Sequence, residues 1–143
     1  MQTSRRFSIA THLLLCLRVF RDLKATSAFL AGSVQVHPVV VRNILGQLKR
    51  AGLAQVAAGS GGARLARAPK TITLLDVYRA VEDHRDGLFS FHDHPNPRCP
   101  VGKHIRRVLE DHLRIAQLRM EGSLAQTTLA DLEKEWRALQ SKP

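Results

Sequence analysis

The stretch HPVVVRNILGQLKRAGL, residues 37–53, decides the fold of this chain. Pro38 suits the first position of a helix, where its missing N–H is not needed, and His37 stands at the cap position before it. Gly52 favours the end of that helix. The stretch therefore predicts a short amphipathic helix with a basic end. Its inward face is formed by Val41, Ile44, Leu45 and Leu48.

The residues on either side extend this helix into a larger motif. Before it, Thr26 or Ser27 can cap a short apolar helix, and residues 34–36 supply a tight turn. Two short helices joined in this way are typical of a helix-turn-helix. After Gly52, two short strand patterns at 53–57 and 63–66 are joined by a glycine-rich turn. That hairpin predicts a wing directly after the second helix.

Three further segments have helical patterns. A helix from Ser8 to Phe20 is apolar on several faces, which predicts burial on several sides. Thr73 and Asp76 have the spacing of a capping box, and Thr128 with Asp131 repeats it. The predicted fold class is mainly α with a small β wing, a winged helix-turn-helix followed by a long dimerisation helix.

That long helix is predicted from Pro100 to about Met120. Its residues repeat at alternating spacings of four and three, as along a coiled-coil seam, and a symmetric homodimer is the simplest partner. The predicted seam consists of Val101, Ile105, Val108, His112, Ile115 and Arg119. We therefore divide the chain into a winged helix-turn-helix domain at 1–82, a sensor or hinge loop at 83–99, and a dimerisation helix with a C-terminal helix at 100–143.

The net charge of +10 lies entirely in one half of the chain. Residues 1–70 contain eleven Lys or Arg and one acid, Asp22, whereas residues 71–143 contain eleven of each sign. A basic half next to a neutral half predicts a polyanionic partner, with double-stranded DNA as the leading candidate. A basic winged-helix adaptor that binds RNA or protein without reading sequence is the alternative. The chain has no nucleophile–base motif or phosphate loop, so we expect no enzymatic activity.

Three features bear on localisation. Arg5 and Arg6 precede an apolar run, as in a twin-arginine export signal, but His12 interrupts the run and no small-residue cleavage site follows. Cys16 and Cys99 are too few and too distant for a disulfide framework. No apolar run approaches the ~20 residues that span a bilayer. These observations predict a cytoplasmic protein with no membrane partner.

Five stretches together resemble the Rrf2 family of winged-helix transcriptional regulators, from Ser4 to about Trp136. The more specific ones are the passage from wing to helix and the NPRCPVGKHI phrase. They read SRRFSIATHLLLCL, HPVVVRNILGQLKRAGL, GSGGARLARAPKTITLLDVYRAVE, NPRCPVGKHI and LAQTTLADL. The resemblance implies a homodimer clasped by the long helix and bound to a palindromic operator, most commonly as a repressor.

The resemblance also concerns a cofactor. The cluster-binding members of the family carry three cysteines in the loop before the dimerisation helix, and this chain has only Cys99 there. The nearest following histidine is His104, five residues later. The likeness is therefore closer to the cluster-less branch, and we expect no iron–sulfur cluster and no other cofactor.

The second helix of the motif carries the predicted DNA contacts. Residues near its start reach base edges, where Arg42 can pair with guanine and Asn43 with adenine. Basic residues at its end suit phosphates, and an arginine behind the flexible wing suits the minor groove or a phosphate. The predicted DNA-binding residues are Arg5, Arg6, Ser27, His37, Val39, Val40, Arg42, Asn43, Gln47, Lys49, Arg50, Gly61, Gly62 and Arg64.

The loop FSFHDHPNPRCPVGKH, residues 89–104, supports four hypotheses. Cys99 before Pro100 would lie at a helix N-terminus, which lowers a thiol's pKa and favours a redox sensor. His92, His94, Cys99 and His104 are ligand types suited to zinc, although their spacing matches no standard site. The loop could also shape a pocket for a small effector, or form a structural turn only.

Overall fold

The computed structural model describes residues 5–59, 61–82 and 87–142. Ser60, in the glycine-rich turn predicted from the sequence, and the first four residues of the predicted hinge, 83–86, lie outside them. The helices are α1 (Arg6–Val19), α2 (Ser27–Val34), α3 (Pro38–Arg50), α4 (Leu74–Val81), α5 (Ile105–Leu124) and α6 (Leu129–Gln140). The strands are β1 (Ala54–Val56) and β2 (Ala63–Leu65), and a short 3₁₀ turn spans Pro69–Thr71. The predicted class, mainly α with a small β wing, is confirmed.

Helix α1 is the centre of the core. It packs against α2, α3, α4, α6 and β2, and its Leu13, Leu14 and Leu17 are buried. A helix with so many neighbours needs apolar residues on several faces, as the sequence predicted. The α1 side chains meet the buried face of α3, which is the predicted set of Val41, Ile44, Leu45 and Leu48.

Local signals set the bounds of the helix-turn-helix. The Thr26 hydroxyl accepts a hydrogen bond from the backbone N–H of Phe29 and begins α2. Gln35 then adopts a left-handed conformation, with φ of 61°, and turns the chain. His37 Nδ1 accepts from the backbone N–H of Val39 at 3.2 Å and begins α3. The axes of α2 and α3 meet at 107°, within the range of about 90–120° that such motifs adopt.

The wing is anchored at its base. Its two strands pair antiparallel with Gln55 opposite Arg64, and the backbone N–H of Ala63 donates to the carbonyl of Ala25 at 2.9 Å. Gly62 has φ of 83°, and a Cβ there would lie 3.1 Å from the Ala25 backbone nitrogen. A side chain at this position would strain the backbone and crowd Ala25. Gly62 therefore fixes the wing to the chain that leads into α2.

Helix α6 returns to the winged domain. The residues before α4 and α6 pair through Thr73 and Thr128, and each threonine begins a capping box, as predicted. Leu129 is buried in the core, and α6 packs against α1 and the 3₁₀ turn. The last part of the 100–143 segment thus shares its core with residues 5–82.

Glu133 of α6 is the only charged side chain among the described residues that is buried. Its carboxylate accepts from Arg18 Nε at 2.7 Å and from Arg137 Nη2 at 2.8 Å. Burial alone would raise the pKa of Glu133, but the hydrogen bonds from Arg137 and Arg18 outweigh it and lower the pKa below its usual 4.5. This ion pair joins the basic half of the chain to the neutral half.

We expect Glu133→Gln to lower the free energy of unfolding by about 1–3 kcal/mol at pH 7, because Arg18 loses its charged partner. A carboxyl with a lowered folded-state pKa contributes stability above its unfolded pKa and loses it as the pH falls through its folded pKa. The difference between wild type and variant, measured by urea unfolding, should therefore shrink below about pH 4.5. Glu135→Gln, on the exposed face of α6, is the matched control. An equal effect of both variants would contradict the prediction.

The start of α5 differs from the prediction. The sequence placed it at Pro100, whereas α5 begins at Ile105 and ends at Leu124. Residues 97–104 form successive turns instead, in which Cys99 N–H donates to the Asn96 carbonyl and His104 N–H donates to that of Val101. The Asn96 backbone also crosses so close to Gly102 that a Cβ there would lie 2.7 Å from its oxygen. This local crossing prevents a continuous helix, and it places Val101 of the predicted seam outside α5.

Helix α5 has no buried residue along its 20 residues. Val108 is 61% exposed, Ile115 42% and Leu118 55%. Its contacts within the chain include α4, through the 3.2 Å ion pair of Arg79 with Glu121. An amphipathic helix that leaves this much apolar surface in water is typical of a subunit interface. No single described helix is long and apolar enough to cross a bilayer; only α2 and α3 taken together across their bend pass that test of length and composition.

Candidate nucleic-acid interface

The outer face of α3 presents an open basic surface. Arg42, Asn43, Lys49 and Arg50 are exposed. None of these four side chains has an acidic partner among the described residues. Arg42 and Asn43 also have no hydrogen bond to another described side chain, so both are available to a ligand. Val39 is 44% exposed, whereas Val40 packs partly against the core. Of the two valines among the predicted DNA-binding residues, the structure exposes Val39 more.

A shallow depression of about 370 Å³ lies between α3 and the start of α1. Arg6 brings a third guanidinium to the same place as Arg42 and Arg50. Its Nη2 donates to the side-chain oxygen of Gln47, so two of the predicted DNA-binding residues bond to each other. Arginines around a groove with no lining carboxylate suit a phosphate backbone.

A second cleft separates the start of α2 from the wing. It has a volume of about 280 Å³, and Arg42 lines it together with Ser27 and Gly62. Arg42 therefore borders both depressions and stands at the centre of the surface. Sequence reasoning did not single out Thr26 and Ala57, which also line this cleft. The only sequence feature that pointed to Thr26 was its position as a helix cap.

The predicted wing residues have unequal roles. Gly62 holds the base of the wing against Ala25, while Gly61 is exposed next to the wing tip. Arg64 is exposed, and its Nε donates to the side-chain oxygen of Gln55 across the hairpin at 2.9 Å. The guanidinium of Arg64 is thus held on the outside of the wing. Arg5 is exposed at the start of α1.

Tertiary contacts neutralise two arginines of the basic half. Arg18 pairs with Glu133, and Arg67 pairs with Asp76 at 3.0 Å. Partial burial would raise the pKa of Asp76, but the hydrogen bonds from Thr73 and the Arg67 guanidinium lower it. These pairs leave the outer face of α3 as a concentrated region of unpaired positive charge.

The four candidate metal ligands, whose spacing matches no standard site, are not gathered into a group of three or more in the described part of the chain. Cys99 is partly exposed and His92, His94 and His104 are exposed. No group of three or more His, Cys, Asp or Glu side chains in residues 5–59, 61–82 and 87–142 could hold a metal ion. Cys99 itself lies in the turns before α5 rather than at the helix N-terminus. Hydrogen bonds from the backbone N–H groups of Gly102 and Val101 nevertheless hold the pKa of the Cys99 thiol below its usual value.

The predicted seam residues lie along α5 or just before it. Ile105 is partly buried, while Val101, Val108, His112, Ile115 and Arg119 are exposed. Within α5 the seam residues share one side of the helix. Apart from Ile105, the seam residues of α5 are exposed in the single chain.

Comparisons with known proteins agree with this geometry. A family model described as "Rrf2: Iron-dependent Transcriptional regulator" matches residues 3–135. The "Putative HTH-type transcriptional regulator YwnA" of Bacillus subtilis (strain 168) is 41% identical over 127 residues, which are 89% of this chain and 93% of that protein.

Two solved structures are similar over most of their length. A "putative DNA binding protein" superposes with a TM-score of 0.73 at 38% identity, covering 89% of this chain and 97% of that one. A "putative transcriptional regulator" from Lactobacillus plantarum superposes with a TM-score of 0.80 at 29% identity, covering 93% and 90%.

The description of the family model includes iron, so the cysteines of this chain are compared with those that an iron–sulfur cluster needs. Iron–sulfur clusters are held mainly by cysteine thiolates. This chain has two cysteines, of which Cys16 is buried in the core and Cys99 is in the loop. The donor set of the chain does not fit such a cluster.

Proposed function

Because the chain belongs to the Rrf2 family of DNA-binding transcriptional regulators, we propose that it represses transcription as a homodimer on a palindromic operator. The observation that carries the proposal is the outer face of α3, where Arg42 and Asn43 are exposed and unpaired. Arg42 borders both depressions, and Asn43 borders the one between α3 and α1. An exposed helix of this kind fits the major groove, where an arginine pairs with guanine and an asparagine with adenine.

The homodimer is supported by α5. Val108 and Ile115 of its seam are apolar and exposed, and a second copy of the same helix would cover them. A dimer related by a two-fold axis would present two copies of α3 to half-sites about one helical turn of DNA apart. Such a regulator acts on the chromosome, so we place it in the cytoplasm.

We further propose that this regulator functions without an iron–sulfur cluster. The proposal rests on the single loop cysteine and on the absence of a three-ligand group among the described residues. Its regulatory signal would then be a redox change or a small effector. The alternative function, an adaptor without sequence readout, lacks a comparable observation, because it gives no role to the exposed Arg42 and Asn43.

Mapping of the DNA bound in living cells tests the function directly. We expect a small set of sites that share an inverted repeat and lie near promoters. Binding to the mapped sequence in vitro should weaken steeply with salt, since several phosphates are contacted. Uniform binding along the chromosome, or retention of RNA only, would refute sequence-specific regulation and favour the adaptor.

A redox response through Cys99 is a separate expectation. Its lowered pKa increases the thiolate fraction, and the thiolate is the nucleophile that attacks a peroxide. We expect Cys99→Ser to keep dimerisation and operator affinity but to remove any loss of operator binding caused by hydrogen peroxide. Cys16→Ser is the comparison, because Cys16 is buried. An identical peroxide dose–response of wild type and Cys99→Ser would eliminate the thiol hypothesis.

A further inference from the structure

A depression of about 800 Å³ lies between the loop and the start of α5. A smaller one of about 270 Å³ adjoins it and shares Phe89, Phe91 and Glu110 with it. Volumes in this range are typical of sites for small molecules. The DNA-binding surface does not explain this pair of depressions. His92 and His94 line the larger one, but they belong to no group of three possible metal ligands among the described residues.

The loop is held against α5 by specific contacts. The backbone N–H of Leu88 donates to Gln117 Oε1 at 3.1 Å, and the guanidinium of Arg106 lies 5.0 Å from the centre of the Phe91 ring. His94 completes the curve of the loop with φ of 54°. These contacts hold Leu88 and Phe91 against α5.

The depressions stay accessible in the proposed dimer. At 100° per residue, Arg106, Glu110 and Gln117 fall on the side of α5 roughly opposite the seam of Val108 and Ile115. A second α5 packed on Val108 and Ile115 would therefore leave Arg106, Glu110 and Gln117 open. Ile105, at the start of α5, belongs to the predicted seam and also lines the larger depression. A molecule bound there would contact the loop and the dimerisation helix at the same time.

The two depressions differ in chemistry. The smaller one is lined by Phe89, Phe91, Leu113 and Leu118, together with Glu110, Arg114 and Gln117. The larger one adds Arg106, Asp93 and the imidazoles of His92 and His94. Its two carboxylates against one guanidinium favour a ligand that carries a cationic group.

Arg106 and Glu110 can hold opposite charges of one ligand. They are four residues apart on α5, which places them about 5–6 Å from each other at Cβ. The order Arg before Glu is the weaker one for pairing within a helix, and Glu110 has no ion pair or hydrogen bond with any described residue. A carboxylate near Arg106 and an ammonium near Glu110 would match both.

We propose that this cleft is an effector site for an amino acid with an aromatic or large apolar side chain. The ammonium contacts Glu110, the carboxylate contacts Arg106, and the side chain lies against Phe89 and Phe91 in the smaller depression. The effector role rests on the proposed function in DNA binding, whereas ligand binding itself does not.

Calorimetry of the full-length protein without DNA tests the site. We expect L-phenylalanine and L-tryptophan to bind, and 3-phenylpropionate and 2-phenylethylamine, which each lack one charge, to bind at least about tenfold more weakly. Glu110→Gln should weaken L-phenylalanine about tenfold without affecting 3-phenylpropionate, and Arg106→Gln should weaken it while sparing 2-phenylethylamine. Arg107→Gln and Glu135→Gln are exposed controls that should bind normally.

Operator binding is then measured with and without L-phenylalanine. We expect a change in affinity of at least about fivefold for wild type and none for Glu110→Gln. Absence of binding by all four compounds, or equal binding by Glu110→Gln and wild type, would refute the site. Ligand binding with unchanged operator affinity would refute the effector role. Failure of the ligand-free protein to bind any operator would count against the proposed function instead.

Discussion

Ile115→Asp should convert the protein to a monomer and lower its operator affinity on the order of 100-fold. Ile115 is 42% exposed in the single chain and lies in the middle of the proposed seam. A symmetric dimer buries two copies of each seam residue, so one substitution removes two isoleucines and buries two carboxylates. The loss of affinity follows because two linked half-site contacts become two independent ones.

Sedimentation measures the oligomeric state, and fluorescence anisotropy with a labelled operator measures the affinity. Val108→Asp should have the same effect, because Val108 is 61% exposed on the same seam. Leu139→Asp is the matched control, since Leu139 is 67% exposed on α6. A dimeric Ile115→Asp variant with wild-type affinity would refute the seam. Far-ultraviolet circular dichroism of the monomer should be unchanged, because α5 has no buried residue.

Arg42→Ala should reduce the preference for operator over unrelated DNA about 5- to 150-fold, which corresponds to a loss of about 1–3 kcal/mol. Arg42 borders both depressions of the interface and has no partner among the described residues that would compensate for its loss. The effect should concentrate on one base pair in each half-site, where guanine is no longer favoured.

Lys49→Ala provides the contrast on the same helix. Lys49 is exposed in the last turn of α3, a position suited to phosphate. We expect its loss to weaken operator and unrelated DNA alike and to reduce the slope of affinity against salt by about one ion. Competition binding at several salt concentrations separates the two variants. If Arg42→Ala left the ratio of specific to non-specific affinity unchanged, α3 would not be the reading helix.

The helix-turn-helix could be predicted because its determinants are local. The Thr26 cap, the His37–Pro38 pair and Gly52 act within a few residues of where they stand. The period of the apolar residues identified the buried face of α3 without any knowledge of its neighbours. Both capping boxes were also predicted correctly, since they involve side chains only three residues apart.

The start of α5 was predicted wrongly because that prediction, too, used only local signals. Pro100 favours a helical first turn, but the backbone of Asn96 crosses beside Gly102 and imposes a series of turns. These turns also place Cys99 before α5 and not at its N-terminus. Its thiol pKa is lowered as expected, although the cause is a pair of backbone N–H groups in the loop and not the start of the long helix.

The sequence by itself determined the winged helix-turn-helix, its buried faces and the uneven distribution of charge. The tertiary structure decided which polar side chains remain available, because Arg18 meets a glutamate 115 positions later and Arg6 donates to Gln47. It also decided that the wing is anchored to Ala25 and that the loop forms a cleft on α5. Local patterns report the conformation that a segment prefers, whereas these contacts join residues far apart in the chain and exist only once the core has formed.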